Sequence, residues 1–202
     1  PQVGEAARYF DKYDDVCDHL LVVDREAHGE DGQPLVVATY RLTREKDAAR
    51  AGGFYTSSEY DIGPMLKGLP ADTKYLELGR SCVLKSYRAR PGTMQLLWKG
   101  LMAYVARFDI DLMFGCASLA GNDPDALALP LSYLHHFHAM PAELNVRARP
   151  ELFVDMNRMA KDAIEPREGE AILSTDSPCG GIADLVQRHR LFHLLAYREM
   201  RR

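Results

Sequence analysis

The segment spanning residues 75–119 constrains the fold more than any other, because two apolar stretches flank one amphipathic helix. Residues 75–84 mix apolar side chains with one acid, one base and one glycine, which predicts a buried strand that exposes a functional group. Apolar residues recur on one helical face over 94–108, which predicts a helix of about four turns. Residues 112–119 form a short apolar run and predict a second buried strand.

The connection between the first strand and the helix is basic. Lys85, Arg88 and Arg90 precede the helix, with Gly92 as a turn residue and Thr93 as its N-cap. Cations at a helix N-terminus oppose the helix dipole unless an anion lies between them. The loop is therefore interpreted as a solvated basic loop or as the binding site of a phosphate or an acidic partner.

Length, charge and cysteine content limit the classes of function. A chain of 202 residues can form one core, or one domain with a tail, and a net charge of -4 argues against nucleic acid as a partner. No apolar run approaches the length that spans a bilayer, and no signal peptide is recognised. The four cysteines are isolated, and Cys82 and Cys116 are interpreted as reduced packing residues in a reducing compartment.

Glu77 is the strongest candidate for chemistry. Strict alternation along the strand would put Glu77 and Arg80 on opposite faces, but a bulge at Gly79 would bring them to the same side. A carboxylate beside a bulge with a free N–H suits acyl transfer, because the acid takes a proton and the N–H binds the oxyanion. The alternative is a structural salt bridge between Glu77 and Arg80.

Three charged residues lie near the start of the chain. Asp11 and Asp14 belong to an acidic segment that is interpreted as a solvated turn, a cation site or an amine-binding patch. A strand is predicted over 35–42, and Arg41 near its end is expected to bind an anion because its surroundings are apolar.

The sequence does not decide the roles of two further segments. The excursion over 45–70 is interpreted as a lid, a substrate wall or an indifferent surface insertion. His135 and His138 are three residues apart, but no third ligand accompanies them, so no metal site is predicted.

Several motifs in order along the chain resemble one family. The motifs ELGRSCV, LLWKGLMAYV and GCASLAGNDPDALALPLSYLHH, together with DVCDHLLVVD, YRLTR and GGFYTSSEYDI, resemble the ornithine–acyl carrier protein N-acyltransferases, often labelled hemolysin-like. These are GNAT-like acyltransferases similar to acyl-homoserine-lactone synthases. The resemblance implies an α/β (α+β) fold over residues 8–165, with a mixed, mostly antiparallel central sheet flanked by helices. It also implies that the family's first strand and helices are missing, and that residues 166–202 form a divergent tail. From its residues alone, 185–202 is interpreted as a basic terminal helix.

The resemblance also implies an activity and its partners. It implies transfer of a 3-hydroxyacyl group from acyl carrier protein to the α-amino group of L-ornithine, giving a lyso-ornithine lipid. No cofactor is implied beyond the acyl-phosphopantetheine thioester of the donor, and a cytoplasmic location with peripheral contact at the inner face of the membrane is expected. Two alternatives remain: an acyl-homoserine-lactone-type synthase, and a catalytically silent module that binds the carrier protein.

Residue roles follow from the same resemblance. Glu77 and Arg80 match an E-x-x-R motif, which makes Glu77 the base and Arg80 an orienting residue. Asp11, Asp14 and Arg41 match the acceptor-binding residues. The residues expected to bind the phosphopantetheine donor are Ser81, Arg88, Arg90, Gly92 and Thr93.

Overall fold

Seven strands and four helices form the described part of the chain. The computed structural model describes residues 10–90, 92–119, 121–141, 144, 146–165 and 167, and the backbone of 192–195. In chain order the elements are β1 (Asp18–His28), β2 (Pro34–Arg44), α1 (Glu45–Arg50), β3 (Tyr60–Asp61), α2 (Gly63–Gly68), β4 (Tyr75–Val83), α3 (Thr93–Phe108), β5 (Leu112–Cys116), α4 (Ala128–Phe137), β6 (Arg147–Ala148) and β7 (Phe192–Leu195).

A mixed five-stranded sheet in the order β1-β2-β4-β5-β7 forms the centre of the fold. β1, β2 and β4 are antiparallel neighbours, whereas β4, β5 and β7 run parallel. The antiparallel ladders are the longer ones, and β3 and β6 form a separate antiparallel pair. The mixed sheet flanked by helices that the resemblance implied is therefore confirmed.

Helix α3 covers one face of this sheet, as its apolar periodicity predicted. Leu97 and Leu101 are fully buried and pack on a cluster that includes Leu42 and Leu76. The helix begins one residue earlier than predicted: Gly92 rather than Thr93 is its N-cap, with φ of +95°, and Thr93 is its first helical residue. Glycine adopts this left-handed conformation without a steric penalty, which explains its place at the sharp entry into the helix.

The ladder between β4 and β5 is short. Its last pair is Glu77 with Phe114, and a cleft opens beyond that pair between the second half of β4 and the end of β5. Gly115 allows the two strands to touch at the base of this fork, because a Cβ there would lie 2.2 Å from the carbonyl oxygen of Leu78. The fork thus sets the position of the cleft.

Several expectations about the segment 75–119 and the tail were wrong. The second strand of that unit ends at Cys116 rather than at residue 119, and Cys82 is exposed, so it is not a packing residue. In the expected basic helix, the described residues Phe192–Leu195 instead form a strand beside β5, because their backbone pairs with that strand. The described residues do not include the remainder of 185–202, nor do they include residues 1–9 or Cys179.

Candidate active site

The fork between β4 and β5 holds a cleft of about 150 Å³. One wall comes from β4 after Glu77, and the opposite wall from Cys116 and Ser118 at and beyond the end of β5. A short 3₁₀ turn, Tyr55–Ser58, closes a third side. This turn belongs to the excursion over 45–70, so that excursion is a wall of the cleft.

Glu77 is the buried carboxylate of this cleft. Only 3% of it is exposed, and its Oε2 and Oε1 accept hydrogen bonds from the backbone N–H groups of Tyr55 at 3.0 Å and Thr56 at 2.6 Å. Burial raises the pKa of Glu77, although the bonds from Thr56 and Tyr55 and the charge of Arg41 partly counter this shift. A carboxyl group with a raised pKa is closer to the range in which a general base works.

The predicted bulge is present, but one residue further along β4. Thr39 pairs with Cys82 and Arg41 with Gly79, so β4 has one extra residue between Gly79 and Cys82. Arg80 takes up the irregularity with φ of +48°, a conformation that is uncommon for a residue with a side chain. Placing the bulge at Gly79 was therefore wrong, because the backbone distortion falls on Arg80.

Four charged side chains form a network at the mouth of the cleft. Nη1 of Arg41 contacts Oδ1 of Asp11 at 2.9 Å and Oδ1 of Asp14 at 3.4 Å. Arg80 contacts the same pair, with Nη2 at 2.7 Å from Asp11 and Nη1 at 3.2 Å from Asp14. Partial burial opposes a low pKa for Asp11, but the bonds from Arg41 and Tyr13 hold it below its usual value. Arg80 therefore binds the aspartates, and the alternative of a salt bridge between it and Glu77 is wrong for these described residues.

The comparisons with known proteins agree with this geometry. The acetyltransferase (GNAT) domain model matches residues 2–99, a stretch that includes Glu77, the bulge and all four members of the charge network. Residues 2–99 therefore match a GNAT domain.

Curated relatives of this GNAT protein refine the comparison. The chain is 46% identical over 173 residues to L-ornithine N(alpha)-acyltransferase of Rhizobium meliloti, and this match covers 86% of the chain and 57% of the relative. It is 44% identical over 161 residues to the enzyme of the same name from Agrobacterium fabrum, covering 80% and 54%. The resemblance drawn from the motifs is thus confirmed, and the chain spans a little over half the length of these relatives. No solved structure matches the chain significantly.

Contacts with nearby residues hold the arginines of the basic loop in place. Nε of Arg88 donates to the carbonyl of Val83 at 3.0 Å, and the guanidinium of Arg90 lies 3.9 Å from the ring centroid of Tyr87. Both arginines remain exposed at the start of α3. The roles predicted for them, and for Ser81, Gly92 and Thr93, in binding a donor stay predictions.

Sequence reasoning missed the residues that face Glu77 across the cleft. Glu59 is 6% exposed and its Oε1 accepts a hydrogen bond from the hydroxyl of Tyr55 at 3.1 Å. The thiol of Cys116 lies 3.7 Å from Oγ1 of Thr56, and burial raises the pKa of this thiol to about 12, so it stays protonated. The motif FYTSSEY was noted only as part of the resemblance, although it carries a carboxylate, a hydroxyl and a phenol within five residues.

Among the described residues, one cluster consists of residue types that can bind a metal ion. Single donor atoms of Asp14, Cys17 and His19 lie within 4.8 Å of one another. Asp14 already binds two guanidinium groups, and burial raises the pKa of Cys17 to about 11, which leaves a neutral thiol. Asp14 is thus already a member of the charge network.

Within the ranges that the structure describes, every helix is too short or too polar to cross a membrane.

Proposed function

We propose that this chain belongs to an N-acyltransferase that moves a 3-hydroxyacyl group from acyl carrier protein to the α-amino group of L-ornithine. The observation that carries the proposal is the buried Glu77 at the fork of a GNAT domain. The curated relatives, named L-ornithine N(alpha)-acyltransferase, support the acceptor. The activity of the whole protein stays a proposal because the chain covers 57% of the first relative.

The reaction requires a base and an electrophile to meet in the cleft. Glu77, directly or through a water, takes a proton from the α-ammonium group, and the amine attacks the thioester carbonyl. A C–N bond forms, the C–S bond breaks, and the phosphopantetheine sulfur leaves and takes up a proton. Beyond the Glu77–Phe114 pair, β4 N–H groups that point toward β5 face the cleft and can bind the oxyanion.

Asp11, Asp14, Arg41 and Arg80 give the acceptor site its shape in this proposal. Arg41 lies between the rings of Tyr13 and Tyr55, at 5.2 Å and 5.5 Å from their centroids. Arg80 is partly exposed and lines the cleft, so its guanidinium can also orient the carboxylate of an amino acid acceptor. The two aspartates hold both arginines in place.

An apolar groove beside the cleft supports a hydrocarbon donor. Its volume is about 640 Å³, and apolar side chains of α4 and of residues 146–156 form most of its wall. Tyr60 lines this groove, and burial raises the pKa of its phenol. Glu59 lines the cleft and the next residue, Tyr60, lines the groove, so the two are neighbours. We propose that the acyl chain occupies the groove.

The exposed face of the first hairpin supports peripheral contact with a membrane. Leu21, Val23 and Val36 are each more than 40% exposed, and Leu84 lies beside the exposed cations Lys85 and Arg88. Apolar side chains next to cations are suited to an anionic lipid surface. Co-sedimentation with phosphatidylglycerol vesicles but not with phosphatidylcholine vesicles is the expected result, and equal recovery with both would contradict this contact.

Incubation of the purified chain with 3-hydroxyacyl carrier protein and L-ornithine tests the function. Mass spectrometry should detect N-acylornithine with the wild type, and at least about a hundredfold less with Glu77→Gln. A lactone formed from S-adenosylmethionine would indicate the related synthase activity instead. Binding of the carrier protein without any product would indicate a catalytically silent module.

A further inference from the structure

Glu59 is a second buried carboxylate in the cleft, and the proposed proton transfer does not use it. It ends the 3₁₀ turn Tyr55–Ser58, whose first two N–H groups hold Glu77. Tyr55 therefore bonds Glu77 through its backbone and Glu59 through its hydroxyl. The two carboxylates are fixed relative to each other by one short, rigid turn.

The remaining charges of the cleft make a cationic ligand suitable. The arginines of the cleft, Arg41 and Arg80, are each bound by both Asp11 and Asp14, so these four described groups balance to zero. Glu59 and Glu77 are two further acidic side chains in the described lining of the cleft, outside that ion-pair network. A carboxylate can accept up to about four hydrogen bonds, so Glu59 can bind an ammonium group in addition to the Tyr55 hydroxyl.

The positions of the two carboxylates in the cleft indicate which ammonium group Glu59 would bind. The thiol of Cys116 lies 3.7 Å from Oγ1 of Thr56, whose backbone N–H bonds Glu77, and Cys116 lines the cleft together with Glu59. Glu59 and Glu77 are separate groups of one cleft lining, so they can contact different parts of one ligand. Glu77 serves the amine that is acylated, and Glu59 is placed to bind a second cation further along the same molecule.

We infer that Glu59 is a specificity-determining residue whose carboxylate binds the distal ammonium group of a diamino acid acceptor. The inference rests on the proposed function and deepens it, because it explains why a diamino acid would be selected over an amino acid of equal length without a side-chain amine. Removing the distal amine should leave the reacting groups in place and affect binding, since Glu59 does not take part in bond formation.

Norvaline provides the matched probe, because it has the carbon chain of ornithine without the distal amine. The wild type should show a higher kcat/KM for ornithine than for norvaline, and Glu59→Gln should lower this ratio about 10- to 100-fold, the effect of losing one charge-assisted hydrogen bond. The change should lie mainly in KM for ornithine. Glu59→Asp should recover part of the ratio, and Glu45→Gln, an exposed carboxylate on α1, should leave it unchanged.

Norvaline turnover also reports whether Glu59→Gln is folded. An equal loss of activity toward both acceptors, or an unchanged ratio, would overturn the inference while leaving the proposed function in place. Calorimetric titration of the chain with each amino acid, in the absence of donor, tests the inference without turnover. Tighter binding of ornithine that Glu59→Gln abolishes supports it even if no product forms, which would refute only the proposed function. Equal affinities, or no binding, would overturn it.

Discussion

Gly115→Ala is the sharpest test of the fork that positions the cleft. An ideal Cβ at this position lies 2.2 Å from the carbonyl oxygen of Leu78 and 3.3 Å from its carbonyl carbon. Relief of this overlap requires a movement of roughly 1 Å. Both strands are held on their far sides, because Leu78 pairs with Leu42 and Gly115 with Leu194. Overpacking against backbone that cannot move freely should cost about 3 kcal/mol, the upper part of the usual range.

Urea denaturation of the purified chain measures this cost. Gly100→Ala is the matched control, because its Cβ would lie 2.8 Å from Cδ1 of Leu20, the mobile end of a side chain, and alanine favours the helix by about 1 kcal/mol. The control should therefore change the free energy of unfolding by no more than about 1 kcal/mol. If Gly115→Ala is as stable as Gly100→Ala, the close contact at the base of the fork does not exist. In the folded fraction of Gly115→Ala, acyl transfer should also fall, since displacement of β4 would shift the cleft.

Three other variants test the charges of the site and of the basic loop. Glu77→Gln places an amide N–H₂ against a backbone N–H and should cost about 1–3 kcal/mol of stability. Burial raises the pKa of Glu77, so the folded state favours its protonated form. The contribution of protonated Glu77 to the free energy of unfolding is present below the ordinary pKa of 4.5, and it is lost as the pH rises through the raised pKa. Glu77→Gln should remove this component from unfolding free energies measured between about pH 4 and 8, and an identical pH dependence would contradict the assignment. Arg88→Glu combined with Arg90→Glu should raise the Michaelis constant for acylated carrier protein and weaken the salt dependence of this constant, because repulsion replaces attraction to an acidic surface. Lys67→Glu is the control, and an equal Michaelis constant in the two variants would exclude the loop as the docking site. Arg41→Met should cost about 3–5 kcal/mol in chemical denaturation, because it leaves carboxylates in a partly buried site with one cation fewer, and a loss below about 1 kcal/mol would show that the network is not structural.

The elements that sequence predicts well here are those with strong periodicity. Helix α3 and strands β2 and β4 were predicted because their apolar side chains pack on a common core. The end of β5 and the strand in the tail were not, because both depend on which strand lies alongside. A short apolar run carries no information about its neighbour in a sheet.

In the site too, the sequence predicts some features and not others. The sequence indicates that Glu77 and Arg80 belong to a kinked strand, because the residue types are informative on their own. It does not indicate their partners. Glu77 is held by backbone N–H groups 21 and 22 residues away, and Arg80 by an aspartate 69 residues away. Backbone donors have no side-chain signature, so the contribution of Tyr55 and Thr56 could not be predicted.

The strained backbone of Arg80 explains why the acidic turn and the bulge act as one unit. A residue with a side chain at φ of +48° costs about 1–2 kcal/mol, and this conformation persists only where surrounding contacts require it. Asp11 and Asp14 provide two of these contacts, and the same aspartates hold Arg41 on the neighbouring strand. The turn is held in return by bonds from the backbone of Asp11 to Asp14 and from Tyr13 to Asp11. Loss of either aspartate should therefore disturb β4 at the cleft as well as the proposed acceptor site, because the same two side chains hold both.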